Sequence, residues 1–450
     1  MESLVNNYPI ESIKKIEQQY NVKEVICNDL QVWDFLRYHV FFEIEKKYYS
    51  FEQKQYQKNY INILYNKIFK NKSNNKNQFI LFTDIKEQRI INNYMIDKLG
   101  YNIVKALMPN CSTMINPINS RISGNYYNNV ISTNRLSSGI VKNNRINNVP
   151  TLNSIRKNEI DIPFIYLINK FFSIYNRALK YFKKNDVKAI FVNCFYSVMH
   201  QAIIYAAKKS NVKVLEIQHG VIGKNQYYYN PTYKSIDLLL PDYLLAHNQY
   251  VSNHINSHYI QSDKVIPFGN FYLNYKITSR EKSLNMNLKH QYEKIILISH
   301  QDSVEKKLLN TINKLAINNQ NICFLVSIRH SKTQKKLLES KRNIIFINED
   351  IYDMISICDL HISIYSTFIL ETLYSGIPNI LLNINKLSED YFSKILIPSN
   401  NIFYANNIDK VIALINDWPF DKKDEIKKQY SYLFKENQME QMQTILDIVQ

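Results

Sequence analysis

The sequence predicts an α/β chain of two domains, each built on a doubly wound parallel sheet, and three observations carry that prediction. Apolar runs of strand length alternate with helix-length segments through most of the 450 residues. The segment KAIFVNCFYSVMHQAIIYAAKKSNVKVLEIQHG, residues 188–220, reads as one strand–helix–strand unit. A second series of such units begins near residue 294, after a Gly269-Asn270 turn that suits a linker. The expected organisation is a first domain over 1–275, a second over 276–425, and a C-terminal helix over 426–450 that packs back on the first domain.

Taken in order, VWDFLRYHVFFEIEKKYY (32–49) has helical periodicity and predicts an amphipathic helix with its aromatic residues in the core. QFILFTD (78–84) and YNIVKAL (101–107) read as strands, with a helix through Met95-Ile96 between them. Residues 110–159 are rich in Asn, Ser and Arg with weak periodicity, and predict a long loop or insertion. After a long helix ending near Lys184 and the 188–220 unit, a strand pair is expected around Leu238 to Leu245. KVIPFGN (264–270) closes the first domain. The second domain is read as KIILISHQ (294–301), a helix to about Asn318, ICFLVSI (322–328), NIIFI (343–347), a helix at YDMISIC (352–358) and LHISI (360–364). Such alternation favours a parallel sheet.

Composition narrows the function classes. The chain carries 56 Lys+Arg against 39 Asp+Glu, a formal charge of +17, which favours anionic partners. No RNA-binding aromatic signature, Cys/His finger or repeat accompanies that charge, so no nucleic-acid partner is expected, and an anionic membrane surface is the better match. No apolar run approaches the ~20 residues of a membrane span. The opening MESLVNNYPIESIKKIEQQ has no apolar signal-peptide core, so the expected location is cytoplasmic, peripheral on the inner face of the membrane. The five cysteines, at 27, 111, 194, 323 and 358, have neither disulfide nor metal-site spacing.

The chemistry gathers at strand ends. Strand VKVLEIQ stops at His219-Gly220, and ligands of open parallel sheets bind outside the carboxyl ends of the strands. An imidazole there can take a proton from a hydroxyl, or it can simply cap the loop. Gly220 would let the backbone turn sharply or approach a ligand. Arg329 and His330 follow another strand and can neutralise a diphosphate, a role that solvated loop residues at strand ends need not have. Tyr365-Ser366-Thr367 forms the turn into a helix over 368–375, which closes at Gly376 before Pro378. Free N–H groups at that helix start, beside the Ser366 and Thr367 hydroxyls, suit a phosphate. Glu371, one turn on, can accept from vicinal ribose hydroxyls; a capped helix with a solvated Glu is the plainer alternative. Lys224, Ser299 and Tyr365 complete the candidate substrate contacts with Gly220.

The combination of EIQHGVIGK, PDYLLAHN, PFGN, SIRHSK and SIYSTFILETLYSGIP, with WDFLR at residues 33–37, resembles the GT-B glycosyltransferases of bacterial capsule and O-antigen assembly, and the related teichoic-acid glycerophosphate polymerases and bacterial sialyltransferases. The resemblance implies two Rossmann-like domains facing a cleft and transfer of a sugar from a nucleotide-sugar donor to a glycan or lipid-linked acceptor. It implies His219 as catalytic base, Arg329, His330, Ser366 and Thr367 on the donor phosphate, and Glu371 on the donor ribose. The family's usual Lys-Pro-His-Pro loop reads Ile328-Arg329-His330-Ser331 here, without either proline. No Asp-Xaa-Asp metal motif stands out, so a metal-independent reaction without cofactor is expected. A CDP-glycerol-type phosphopolyol transferase, a nucleotide-sugar epimerase and a non-catalytic nucleotide-sugar-binding protein share most of these features.

Overall fold

The computed structural model describes residues 8–52, 78–82, 102–107, 129–132, 144–278, 286–327, 342–347, 350–417, 421–436 and 438–449. A short antiparallel pair, β1 (Ile26–Cys27) and β2 (Leu30–Gln31), precedes two larger sheets. The first contains β3 (Gln78–Phe82), β4 (Asn102–Leu107), β5 (Asn129–Ser132), β6 (Val187–Val192), β7 (Lys213–Ile217), β8 (Tyr243–Ala246) and β9 (Val265–Pro267). The second contains β10 (Lys294–Ser299), β11 (Ile322–Ser327), β12 (Ile344–Ile347), β13 (Leu360–Ser363), β14 (Asn379–Leu382) and β15 (Ile402–Ala405).

Both sheets are wholly parallel among the described strands. Their orders are β5-β4-β3-β6-β7-β8-β9 and β12-β11-β10-β13-β14-β15. In each, the chain winds outward one way from its first strand and then returns to wind the other way. That reversal opens a crevice at the carboxyl ends of β3/β6 and of β10/β13, the places where such sheets bind ligands.

Alternation along the strands explains why each sheet is covered on both faces. In β6, Ile190 and Val192 face one core, while Ala189 and Phe191 face another shared with Met442, Ile445, Leu446 and Val449 of the helix Gln438–Val449. In β10 and β11, Ile295, Leu297, Cys323 and Leu325 face one side, and Ile296, Ile298, Phe324 and Val326 the other. The C-terminal helix therefore lies on the first sheet, after Leu433 and Phe434 have packed in the second half.

The structure departs from the sequence reading at several elements. Strand β5 and the helix Val149–Asn158 lie within the 110–159 stretch read as a loop; short, polar elements give weak periodicity. Around Leu238 to Leu245 there is one strand, β8, preceded by a single 3₁₀ turn, Asp237–Leu239. The expected helix at 352–358 is likewise a 3₁₀ segment, Ile351–Ser356. The helix Trp33–Tyr48 buries Trp33, Phe35, Leu36, Arg37, Tyr38, Val40, Phe41 and Ile44, so it is a central helix enclosed on several sides and not a surface one. The helix expected through Met95-Ile96 lies outside the described residues.

Gly376 ends the helix Phe368–Tyr374 with φ +84°, the left-handed conformation that suits glycine. A Cβ there would stand 2.5 Å from Lys423 Cγ and in collision with the Lys423 carbonyl oxygen. Gly376→Ala is therefore expected to cost about 2–3 kcal/mol, combining φ strain with a backbone clash. A chemical denaturation series measures it; an unchanged midpoint would refute the assignment.

Candidate functional site at the cleft

The loop after β7 and the turn after β13 meet. A cavity of about 170 Å³ is lined by Tyr196, His219, Gly220, Gln226, Tyr228 and Tyr229 from the first half and by Tyr365, Thr367 and Tyr391 from the second. A Cβ on Gly220 would lie 3.9 Å from Thr367 Oγ1. Gly220 does not have a left-handed φ; its value here is the open space between the two halves.

Backbone pairing fixes His219. Gln218 N donates to Leu245 O of β8 at 2.9 Å, Gln218 Oε1 accepts from His247 N at 2.7 Å, and Gln218 Nε2 donates to Gly220 O at 2.9 Å. Gln218 thus ties the turn to the neighbouring strand on one side of the imidazole and to Gly220 on the other. His219 Nε2 lies 3.4 Å from Tyr196 OH, and its Nδ1 is buried without a hydrogen-bond partner among the described residues. Burial, with a smaller push from His200, lowers the imidazole to about 4. His219 is consequently neutral at pH 7, the form that can accept a proton.

Aromatic rings make the walls. Tyr196 stacks on Tyr228 with centroids 4.2 Å apart, and Tyr365 packs against Tyr391 at 5.0 Å across from them. Behind the walls stand two buried carboxyls. Glu45 accepts from Tyr228 OH (2.7 Å) and Tyr391 OH (3.3 Å); Glu216 accepts from Tyr259 OH (2.5 Å) and Tyr229 OH (3.2 Å). Burial raises each to about 7, against the smaller lowering effect of those bonds.

On the second half, the turn holds its own helix start. Ser366 Oγ accepts from Phe368 N at 3.3 Å, Ser366 O from Ile369 N at 3.2 Å and Thr367 O from Leu370 N at 2.9 Å. The expectation of free N–H groups at this helix start is thereby corrected: the turn itself satisfies them. Ser366 is buried in that role, whereas Thr367 lines the cavity. Tyr365 also lines it, its hydroxyl bonded to Ser303.

Glu371 is 5% exposed, and its Oε1 accepts from Asn270 Nδ2 and Tyr352 OH, both at 2.9 Å. Asn270 comes from the linker after β9, and its Oδ1 accepts from Leu273 N at 2.9 Å. The solvated Glu of the plainer alternative is therefore not what the structure contains. Removing this acceptor strips one buried and one half-buried donor of a bond, so Glu371→Ala is expected to lower stability by about 2–3 kcal/mol, and Glu371→Gln by less than about 1 kcal/mol. Thermal unfolding of the pair measures the difference; equal losses would show that the carboxyl's hydrogen bonds are not what is lost.

Ser299, at the end of β10, does not reach the cleft. It is 3% exposed and bonds Ser363 Oγ (2.6 Å) and His361 Nε2 (3.0 Å), while His361 Nδ1 pairs with Asn379 Oδ1 at 2.5 Å. Its hydroxyl is consumed in a buried chain under β10 and β13. Lys224 is exposed on the loop surface, near His254, and does not line the cavity. Arg329 and His330 lie outside the described residues. Among the described residues, no cluster of three or more His, Cys, Asp or Glu is placed to hold a metal ion, and no helix is long and apolar enough to cross a membrane.

Sequence reasoning missed Tyr196, Tyr391, Gln226 and Glu45, and gave the tyrosine run at 227–229, which can stack on sugar rings, little weight in a chain with 34 tyrosines. Tyr196 follows β6 at the switch point of the first sheet, and that position could have singled it out. His300, directly past β10, was also missed; it is held between Glu305 (2.8 Å) and Asp302 (3.1 Å).

No protein-family profile matches the sequence, and no match is found among curated proteins. Solved structures do resemble it. The S. aureus MnaA–UDP complex superposes with a TM-score of 0.53 at 12% identity, over 82% of this chain and 95% of that one. The UDP-GlcNAc 2-epimerase of Methanocaldococcus jannaschii gives 0.51 at 13%, over 83% and 98%. The glycosyltransferase of kitacinnamycin gives 0.53 at 9%, over 83% and 98%. At these identities the likeness concerns the fold, and with the two strand orders it establishes the GT-B arrangement of two Rossmann-like α/β domains facing a cleft.

Proposed function

We propose that this chain is a glycosyltransferase that moves a sugar from a nucleotide-sugar donor to a growing surface polysaccharide or lipid-linked acceptor. The observation that carries the reading is the meeting of His219 with Thr367 and Tyr365 around one cavity, at the carboxyl ends of strands from both sheets. In this scheme the acceptor hydroxyl gives its proton to the neutral His219 imidazole. Its oxygen bonds the anomeric carbon as the bond to the donor phosphate oxygen breaks, and the nucleotide leaves with that electron pair. Thr367, Ser366, Arg329 and His330 receive the phosphate charge, and Glu371 receives the ribose. The basic surface rests against the anionic inner leaflet that presents a lipid-linked acceptor.

An epimerase reading draws support from the M. jannaschii enzyme, whose fold spans 83% of this chain. Incubation with a panel of UDP-, GDP-, CMP- and CDP-linked donors, without added metal, separates the possibilities. Release of nucleotide that depends on an added glycan or lipid-linked acceptor supports transfer. Conversion of a nucleotide sugar without acceptor would establish epimerisation, turnover of CDP-glycerol alone a phosphopolyol transferase, and binding without turnover a binding protein.

A further inference from the structure

Glu45 lies near the C-terminal end of the helix Trp33–Tyr48 and is 8% exposed. The two hydroxyls that donate to it belong to tyrosines on opposite sides of the cleft: Tyr228 in the first half and Tyr391 in the second. Each O–H proton is committed to the carboxyl, so toward the cavity both tyrosines offer oxygen lone pairs. A ligand hydroxyl or ammonium can donate to such a wall. A ligand carboxylate only accepts, and it would also stand one hydroxyl away from a second negative charge.

Among the described residues, the groups around Glu45 do not offset that charge. The titratable side chains that face it from neighbouring elements are Tyr8, Tyr49, Tyr196 and Tyr365, besides Tyr228 and Tyr391. Asp390, which accepts from Tyr49 OH at 2.9 Å, adds a further acid on the same side. On Glu45's own helix, Lys46 is engaged with Glu43 at 2.8 Å. With the carboxyl raised to about 7 by burial, the charge is largely present at pH 8 and largely absent at pH 6.

We infer that Glu45, acting through Tyr228 and Tyr391, is a specificity-determining residue that admits an uncharged or amino-bearing sugar unit to this cavity and rejects one that carries a carboxylate. The inference rests on the nucleotide-sugar reading above. It concerns the sugar alone and holds for a transferase and an epimerase alike.

Matched probes test it. UDP-glucose and UDP-glucuronic acid differ only by a carboxylate, as do GDP-mannose and GDP-mannuronic acid, and free UDP and GDP report the nucleotide site. Calorimetric titration at pH 8 is expected to show the neutral member of the bound pair at least about tenfold tighter than the acidic one. Glu45→Gln is expected to shrink the gap to about threefold or less with free-nucleotide affinity unchanged, which also shows that the variant is folded. Tyr391→Phe removes one of the two hydroxyls through which Glu45 acts but keeps Tyr228 and the charge, and is expected to narrow the gap in part. For the wild type the gap should narrow at pH 6. Equal affinities for the pair at pH 8, or a gap that survives Glu45→Gln, would overturn the inference while leaving the nucleotide site intact. If neither free nucleotide nor any of the four sugar conjugates binds, and CMP and CDP do not bind either, the nucleotide reading itself has failed and the inference falls with it.

Discussion

Substitution of His219 by Ala is expected to lower acceptor-dependent turnover by about 10²–10⁴-fold while nucleotide affinity changes little. The imidazole is the neutral nitrogen base at the end of β7, and the Gln218 bonds to Leu245, His247 and Gly220 hold its turn in place whether or not the ring is present. The loss should therefore appear in kcat, with the fold intact. The pH dependence carries a second expectation. An ordinary histidine loses its basic form below about 6.5. His219, pushed down to about 4, keeps it through pH 5–6, so the rate should not fall there on its account. A limb near 7 would instead report Glu45 or Glu216, and it should move in Glu45→Gln and stay in Glu216→Gln if Glu45 is its source. Full activity in His219→Ala would remove the residue from the mechanism.

Replacing Arg37 by Met is expected to destabilise the chain by about 3–5 kcal/mol, the largest stability effect of a single change foreseen here. Arg37 is fully buried, donates from Nη2 to Tyr233 O at 2.8 Å, and stands 4.0 Å over the Tyr233 ring. Its Nε lies 4.0 Å from Glu17 Oε1, the oxygen that also accepts from Trp33 Nε1 and Tyr227 OH. Thr232 donates to the other oxygen of Glu17. Three segments are joined by this one pair: the helices Pro9–Gln19 and Trp33–Tyr48, and the loop that continues from His219 through Tyr228. Removing the guanidinium leaves a buried carboxylate without its cation, which costs more than the pair itself contributes. The double variant Arg37→Met with Glu17→Gln should recover part of the loss, and a cycle of denaturant midpoints would show it. Additive losses would mean that the two charges do not act together.

Much of this site was legible because strand ends and turns are local properties. The apolar run VKVLEIQ stopping at His219, and LHISI giving way to Tyr365-Ser366-Thr367, located both sides of the cleft before any packing was known. Side-chain direction was not legible. Ser299 ends one strand and Thr367 follows another, yet one turns inward to His361 and the other outward to Gly220. Nor was closure of the helix start by Ser366 visible, since the same Ser-Thr pair serves an open turn or a satisfied one. The tyrosines were hidden by abundance: among 34 of them, nothing local separates Tyr228 from Tyr233. Glu45 was hidden by distance, since only the fold brings a residue of the N-terminal helix between Tyr228 and Tyr391.

The path of the chain between the halves limits how the cleft can work. It passes from the first sheet to the second through Gly269 and Asn270, and it returns after Phe434 to the helix Gln438–Val449 on the first sheet. A third connection is made by Tyr49, whose ring packs in the second half and whose carbonyl accepts from Asn385 Nδ2 at 2.7 Å. Two bodies joined by a single flexible link can tumble independently. Joined at separate points, they can move against each other only in ways that all of those joints allow, so the cleft's two lips keep a common register.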